Sequence, residues 1–107
     1  MLDKNNLFAN LPKDTTQEHF SVLIKSSSTR IERIVSFGQS SPQSGWYDQD
    51  KDEWVCVLSG YGVLEFENSS KVKLDVGDHL LIPAGCKHKV VETDPNSETV
   101  WLAVFYK

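Results

Sequence analysis

Cysteine, cationic charge and long apolar runs are all scarce in this chain, and each scarcity removes a class of protein. Cys56 and Cys86 are the only cysteines, too few for a disulfide scaffold in a chain that can build its own core. They read as separate reduced thiols. No stretch approaches the roughly 20 apolar residues of a membrane-crossing helix, and the opening Met-Leu-Asp-Lys-Asn-Asn lacks a signal peptide's apolar centre. A cytoplasmic setting is expected. Lys and Arg number 11 against 15 Asp and Glu, a net charge of −4. The acidic residues are scattered, which argues against nucleic acid or an anionic membrane as partner. No phosphate-cradling glycine loop and no nucleophile with a positioned base is visible.

What remains reads as strand after strand. A chain of 107 residues suffices for one domain, residues 1–107, with one core and one site. Residues 1–14 form a polar arm carrying Leu7, Leu11 and Pro12. His-Phe-Ser-Val-Leu-Ile-Lys and Arg-Ile-Glu-Arg-Ile-Val-Ser-Phe, parted by serines, predict a hairpin. Ser59-Gly60-Tyr61 predicts a second hairpin, joining Glu53–Leu58 to Gly62–Glu67. Further turns at Asn68-Ser69-Ser70, Asp75–Asp78 and Thr93–Ser97 precede the apolar ending Trp-Leu-Ala-Val-Phe-Tyr. Eight or more short strands at such spacing predict an all-β antiparallel sandwich or barrel.

One segment is more specific. From Gly77 to His88 the chain reads Gly-Asp-His-Leu-Leu-Ile-Pro-Ala-Gly-Cys-Lys-His. Gly77-Asp78 ends one element, and His79–Ile82 is apolar and too short for a helix. Pro83 cannot donate to a ladder and Gly85 permits a tight bend, so His88 is delivered at a fixed offset.

This spacing resembles the second signature of the cupin superfamily. The first signature there carries two histidines one residue apart, then a glutamate, then a glycine. Here Gly45 to Gly60 matches through Glu53 and Gly60, while the histidine pair is missing. Where the family often has an asparagine after the last histidine, this chain has Glu92. The resemblance spans residues 40–106 and implies a small single-domain cupin, an antiparallel jelly-roll β-barrel with a degenerate first motif.

The resemblance also implies a site. In metal-binding cupins the two histidines, the glutamate and the later histidine converge on one divalent ion, and this chain matches at Glu53 and His88. One register puts Tyr47 and Gln49 at the histidine positions; the other puts Trp46 and Asp48 there. The first is preferred, because it leaves Asp48 and Asp50 to water. Tyr47, Gln49, Glu53 and His88 are then the candidate ligands for Fe, Mn, Ni or Zn, although a carboxamide and a phenol are weaker donors than two imidazoles. Alternatively Glu53 and His88 meet with no ion between them, as an acid–base pair. They are the candidate catalytic residues in both cases. His19 and His79 fall outside the matching positions. Trp46, Tyr47 and Cys86 are expected to line a substrate pocket, Cys86 because it shares strand parity with His88.

Two functions follow as expectations. One is a metal-assisted enzyme of isomerase, dioxygenase or lyase type acting on a small organic molecule; the other is a non-catalytic barrel that binds or senses a small ligand. The apolar ending and the N-terminal arm both invite a second subunit, and small cupins commonly pair, so a homodimer is expected.

Overall fold

A computed structural model describes residues 2–107. Met1 of the expected arm lies outside them. Eight strands follow one another with no helix among the described residues: β1 His19–Lys25, β2 Thr29–Ser36, β3 Asp52–Ser59, β4 Gly62–Phe66, β5 Lys71–Leu74, β6 His79–Ile82, β7 His88–Thr93 and β8 Thr99–Tyr106. They form a five-stranded sheet in the order β1-β2-β8-β3-β6 and a three-stranded sheet in the order β5-β4-β7, with every pairing antiparallel. The fold is an all-β jelly roll. Its two sheets do not close into one hydrogen-bonded ring; instead Ser41 and Tyr47 each bridge to the outer edge of β7.

The expected β1–β2 hairpin is present. The expected hairpin at Ser59-Gly60-Tyr61 is not: β3 and β4 belong to different sheets, and the turn between them is a corner of the sandwich. Gly60 has φ of +75°, and a Cβ there would meet Thr99. A glycine satisfies a corner and a hairpin equally well, which is why the local chemistry misleads.

The interior lies between the sheets. Val55, Val57, Leu64, Leu74, Ile82, Trp101, Ala103 and Phe105 form its apolar cluster. Gly62 lies so close to the Trp101 indole that any Cβ would overlap the ring. The apolar ending, β8, lies between β2 and β3 in the large sheet, so its two backbone edges are already paired within the chain. The N-terminal arm is held as well, through the Arg33 guanidinium, which donates to the carbonyls of Leu7 at 3.2 Å and Ala9 at 2.7 Å. Strand β1 is one edge of the large sheet, and Phe20, Val22, Leu23 and Ile24 on it are exposed.

Candidate functional site

Registry across the large sheet sets out one wall of a cavity. Arg30 of β2 stands opposite Phe105 of β8, Phe105 opposite Glu53 of β3, and Glu53 opposite Ile82 of β6. Because alternate residues share a face, Glu32, Ala103 and Val55 form the next row inward. The facing wall comes from the small sheet and its two bridges, with Phe66, His88 and Tyr47 in one row and Leu64, Val90 and Ser41 in the next. Between the walls is a cavity of about 200 Å³. That is room for about seven waters at liquid density, the scale of a small organic molecule.

Two loop contacts bring the motif segments together. Gly85 N–H donates to the Gln49 carbonyl at 2.8 Å, and Ala84 N–H donates to Asp52 Oδ1 at 2.8 Å. The Pro-Ala-Gly bend is thus stitched to the start of β3. His88 leaves that bend into β7 and exchanges both backbone hydrogen bonds with Tyr47, at 2.7 and 3.1 Å.

His88 and Glu53 meet. Their Nε2 and Oε1 atoms are 3.4 Å apart, with His88 4% and Glu53 7% exposed. On its other side His88 Nδ1 lies 2.9 Å from the Cys86 carbonyl. A carbonyl only accepts, so Nδ1 carries a hydrogen, and Nε2 is the atom whose proton comes and goes. Burial opposes the charged imidazolium, but the hydrogen bonds to Glu53 and to the Cys86 carbonyl, with the carboxylate's charge, outweigh it and hold His88 above its ordinary value. Gln49 Nε2 donates to the same Glu53 oxygen at 2.9 Å, which fixes the carboxylate.

Tyr47 and Gln49 both reach the cavity, while Asp48 and Asp50 are exposed. Burial raises the Tyr47 phenol; a hydrogen bond to Ser41 works against this, and the charges of Glu18, Glu53 and Glu32 add to it. The two other expected lining residues fall elsewhere. Trp46 faces away, with Lys89 Nζ 4.4 Å above its ring. Cys86 precedes β7 rather than lying within it, so strand parity does not govern its side chain. It packs against the core and borders a surface groove beside Phe66 and Lys87. His79 stacks on Trp54 at 5.4 Å, and His19 contacts the Asp14 carbonyl, each outside the cavity.

The cavity also holds charged groups not expected from the sequence. Arg30 Nε donates to Glu32 Oε2 at 3.2 Å, and the guanidinium lies 4.3 Å from the Phe105 ring centre. Glu18 lines the cavity too and accepts from Ser36 Oγ at 2.7 Å. The signal was present in Arg30-Ile31-Glu32, where opposite charges two apart share one strand face.

Comparison with known proteins gives the family. The model for the Cupin domain matches residues 34–105. This chain belongs to the cupin family. The cupin is similar to a protein from Ralstonia eutropha JMP134 that bears the provisional name mannose-6-phosphate isomerase, with 42% identity, 99% of each chain covered and a TM-score of 0.92. It shares its fold with a cupin superfamily protein from Desulfitobacterium hafniense DCB-2, at 18% identity, 99% and 93% coverage and a TM-score of 0.79. A protein from Thermus thermophilus is similar at 17% identity, 98% and 97% coverage and a TM-score of 0.80. No curated protein matches the chain.

A divalent ion is common among cupins, so the donors of this one are tested against it. A first-row ion is held by several imidazole, thiolate or carboxylate groups. Among the described residues no group of three or more His, Cys, Asp or Glu side chains gathers to hold a metal. Only the His88 imidazole and the Glu53 carboxylate meet; Gln49 presents its N–H₂ rather than its oxygen, and the Tyr47 phenol is pushed away from phenolate. This donor set does not fit a resident ion.

Proposed function

We propose that this cupin binds a small organic molecule between its sheets and isomerises it by proton transfer, with Glu53 and His88 as the catalytic residues. The carrying observation is their buried contact at 3.4 Å in the cavity wall. Glu53, oriented by Gln49, takes a proton from a carbon beside a carbonyl, and His88 Nε2–H donates to the carbonyl oxygen. The C–H pair moves into a carbon–carbon double bond, and the oxygen receives the imidazole proton. For an α-hydroxy carbonyl substrate, Glu53 then returns its proton to the former carbonyl carbon, while the hydroxyl on the neighbouring carbon gives its proton back to His88 Nε2 and becomes the new carbonyl. The isomerisation thus runs with no net gain or loss of protons or electrons. The provisional name of the Ralstonia protein supports this class of reaction.

The test is deuterium incorporation from D₂O into D-mannose and D-mannose 6-phosphate, followed by proton NMR. The expected result is exchange at the carbon beside the carbonyl in at least one of the two, lost in Glu53→Gln. No exchange, together with binding that persists unchanged in Glu53→Gln, would replace the enzyme with the non-catalytic binding barrel.

The assembly proposed is a homodimer in the cytoplasm, formed through β1 rather than through β8 or the arm. An open edge with exposed apolar side chains is a template for another strand, and two copies related by a two-fold axis satisfy it. Light scattering at micromolar concentration should give twice the chain mass; a clean monomer rules the dimer out.

A further inference from the structure

The charges lining the cavity say which form of a sugar-like molecule it accepts. Three carboxylates, Glu18, Glu32 and Glu53, line it together with one guanidinium, Arg30. Three negative charges against one positive leave two negative, or one when His88 is protonated. Phosphate recognition needs a cation with free donors directed at the anion. Here Arg30 is the only Lys or Arg among the described lining residues; its Nε donates to Glu32 and its face lies against Phe105, so an anion reaching its remaining Nη donors also meets the Glu32 carboxylate. Glu32 is buried while the Arg30 side chain is 34% exposed, so the carboxylate is the fixed, inward member of the pair.

We infer that the cavity takes an uncharged, hydroxyl-bearing molecule in preference to its phosphorylated counterpart, with Glu32 as the residue that sets this preference by offsetting the charge of Arg30. The inference rests on the proposed small-molecule reading of the same cavity and narrows it. Arg30 stands two strands from Glu53, across β8, so their backbones are separated by about 10 Å. A small polyol held near Glu53 and His88 would extend toward the Arg30–Glu32 pair, where both groups can still hydrogen-bond hydroxyls. A phosphate there would meet the Glu32 carboxylate first, and like charges brought together discriminate strongly.

The test is an NMR titration of the wild-type protein with D-mannose, D-mannose 6-phosphate and inorganic phosphate, read at the His88 ring and the Gln49 side-chain amide. D-mannose should shift these signals at lower concentration than either phosphate species does. In Glu32→Gln, which frees Arg30 and removes one negative charge, affinity for the two phosphate species should rise about tenfold relative to D-mannose. Glu18→Gln should move the ratio the same way by a smaller factor, and it keeps the test open if Glu32→Gln does not fold. Binding of either phosphate species as tight as that of D-mannose, or tighter, in the wild type would overturn the charge inference while leaving the proton-transfer proposal standing. Silence from all three probes, with no deuterium exchange, would overturn the small-sugar ligand and with it the proposed function.

Discussion

The two ends of the same inner sheet face differ. At one end Arg30, Phe105 and Glu53 stand in a row over the cavity; two rows along, Ile34 and Trp101 form its apolar floor and pack with Val57 into the hydrocarbon core. The strands and the antiparallel pairing are common to both. What differs is how the polar groups are satisfied, because a buried charge persists only when it is paired and hydrogen-bonded. Glu53 has Gln49 and His88 and Glu32 has Arg30, whereas the apolar end carries no buried charge and needs only the neutral bond from the Trp101 indole N–H to Ser36 Oγ at 3.2 Å. One end therefore serves stability and the other chemistry, and substitutions at the two ends should fail in different ways.

The largest effect on folding is expected at the apolar end. Trp101→Ala should destabilise the protein by about 3–5 kcal/mol in urea unfolding, since it leaves a large cavity against Gly62 and Leu64. A loss below about 1 kcal/mol would show that this end is not where stability resides. At the polar end His88→Gln should slow deuterium exchange by about 100-fold or more while the protein remains folded. Equal exchange in His88→Gln and the wild type would remove His88 from the reaction.

A smaller effect is the dependence of stability on pH. His88 is held above its ordinary value in the folded chain, so its contribution is complete below the unfolded value and is lost as pH rises through the folded one. The stability difference between wild type and Glu53→Gln should therefore be larger at about pH 6 than at about pH 9 in urea unfolding. A difference that grows with pH would contradict the pairing. Titration with Mn, Fe(II), Ni and Zn should leave the melting temperature unmoved, because only two donors converge. A rise abolished in His88→Ala would show that a metal site forms after all. The smallest effect is outside the cavity, where Asp48→Asn should change stability by less than about 0.5 kcal/mol and leave exchange unaltered.

Much of this contrast was legible in the sequence. Gly77-Asp78, Pro83 and Gly85 mark bends by backbone chemistry alone, so the strand before His88 and the place where His88 is delivered could be read directly. Glu53 and Tyr47 followed from the family spacing and from strand parity. The corner at Gly60 was not legible, because a turn specifies a change of direction and not the sheet that the next strand joins. Cys86 was misplaced for a related reason, since parity holds only inside a strand and β7 starts at His88. Arg30 and Glu32 were overlooked because alternating charges on a strand ordinarily mark the solvent face. Their inward direction depends on the whole sheet, in which β8 lies beside β2 and brings Phe105 under the guanidinium.

The central claim is that Glu53 and His88 act on one another inside the cavity, and it can be measured at one ring. A pH titration of the His88 imidazole by ¹H–¹⁵N NMR, in wild type and in Glu53→Gln, observes that coupling directly. The expected result is a hydrogen fixed on Nδ1, a midpoint above the ordinary 6.5 in the wild type, and a clear fall in Glu53→Gln. A midpoint at or below 6.5 that ignores the loss of the Glu53 carboxylate would contradict it.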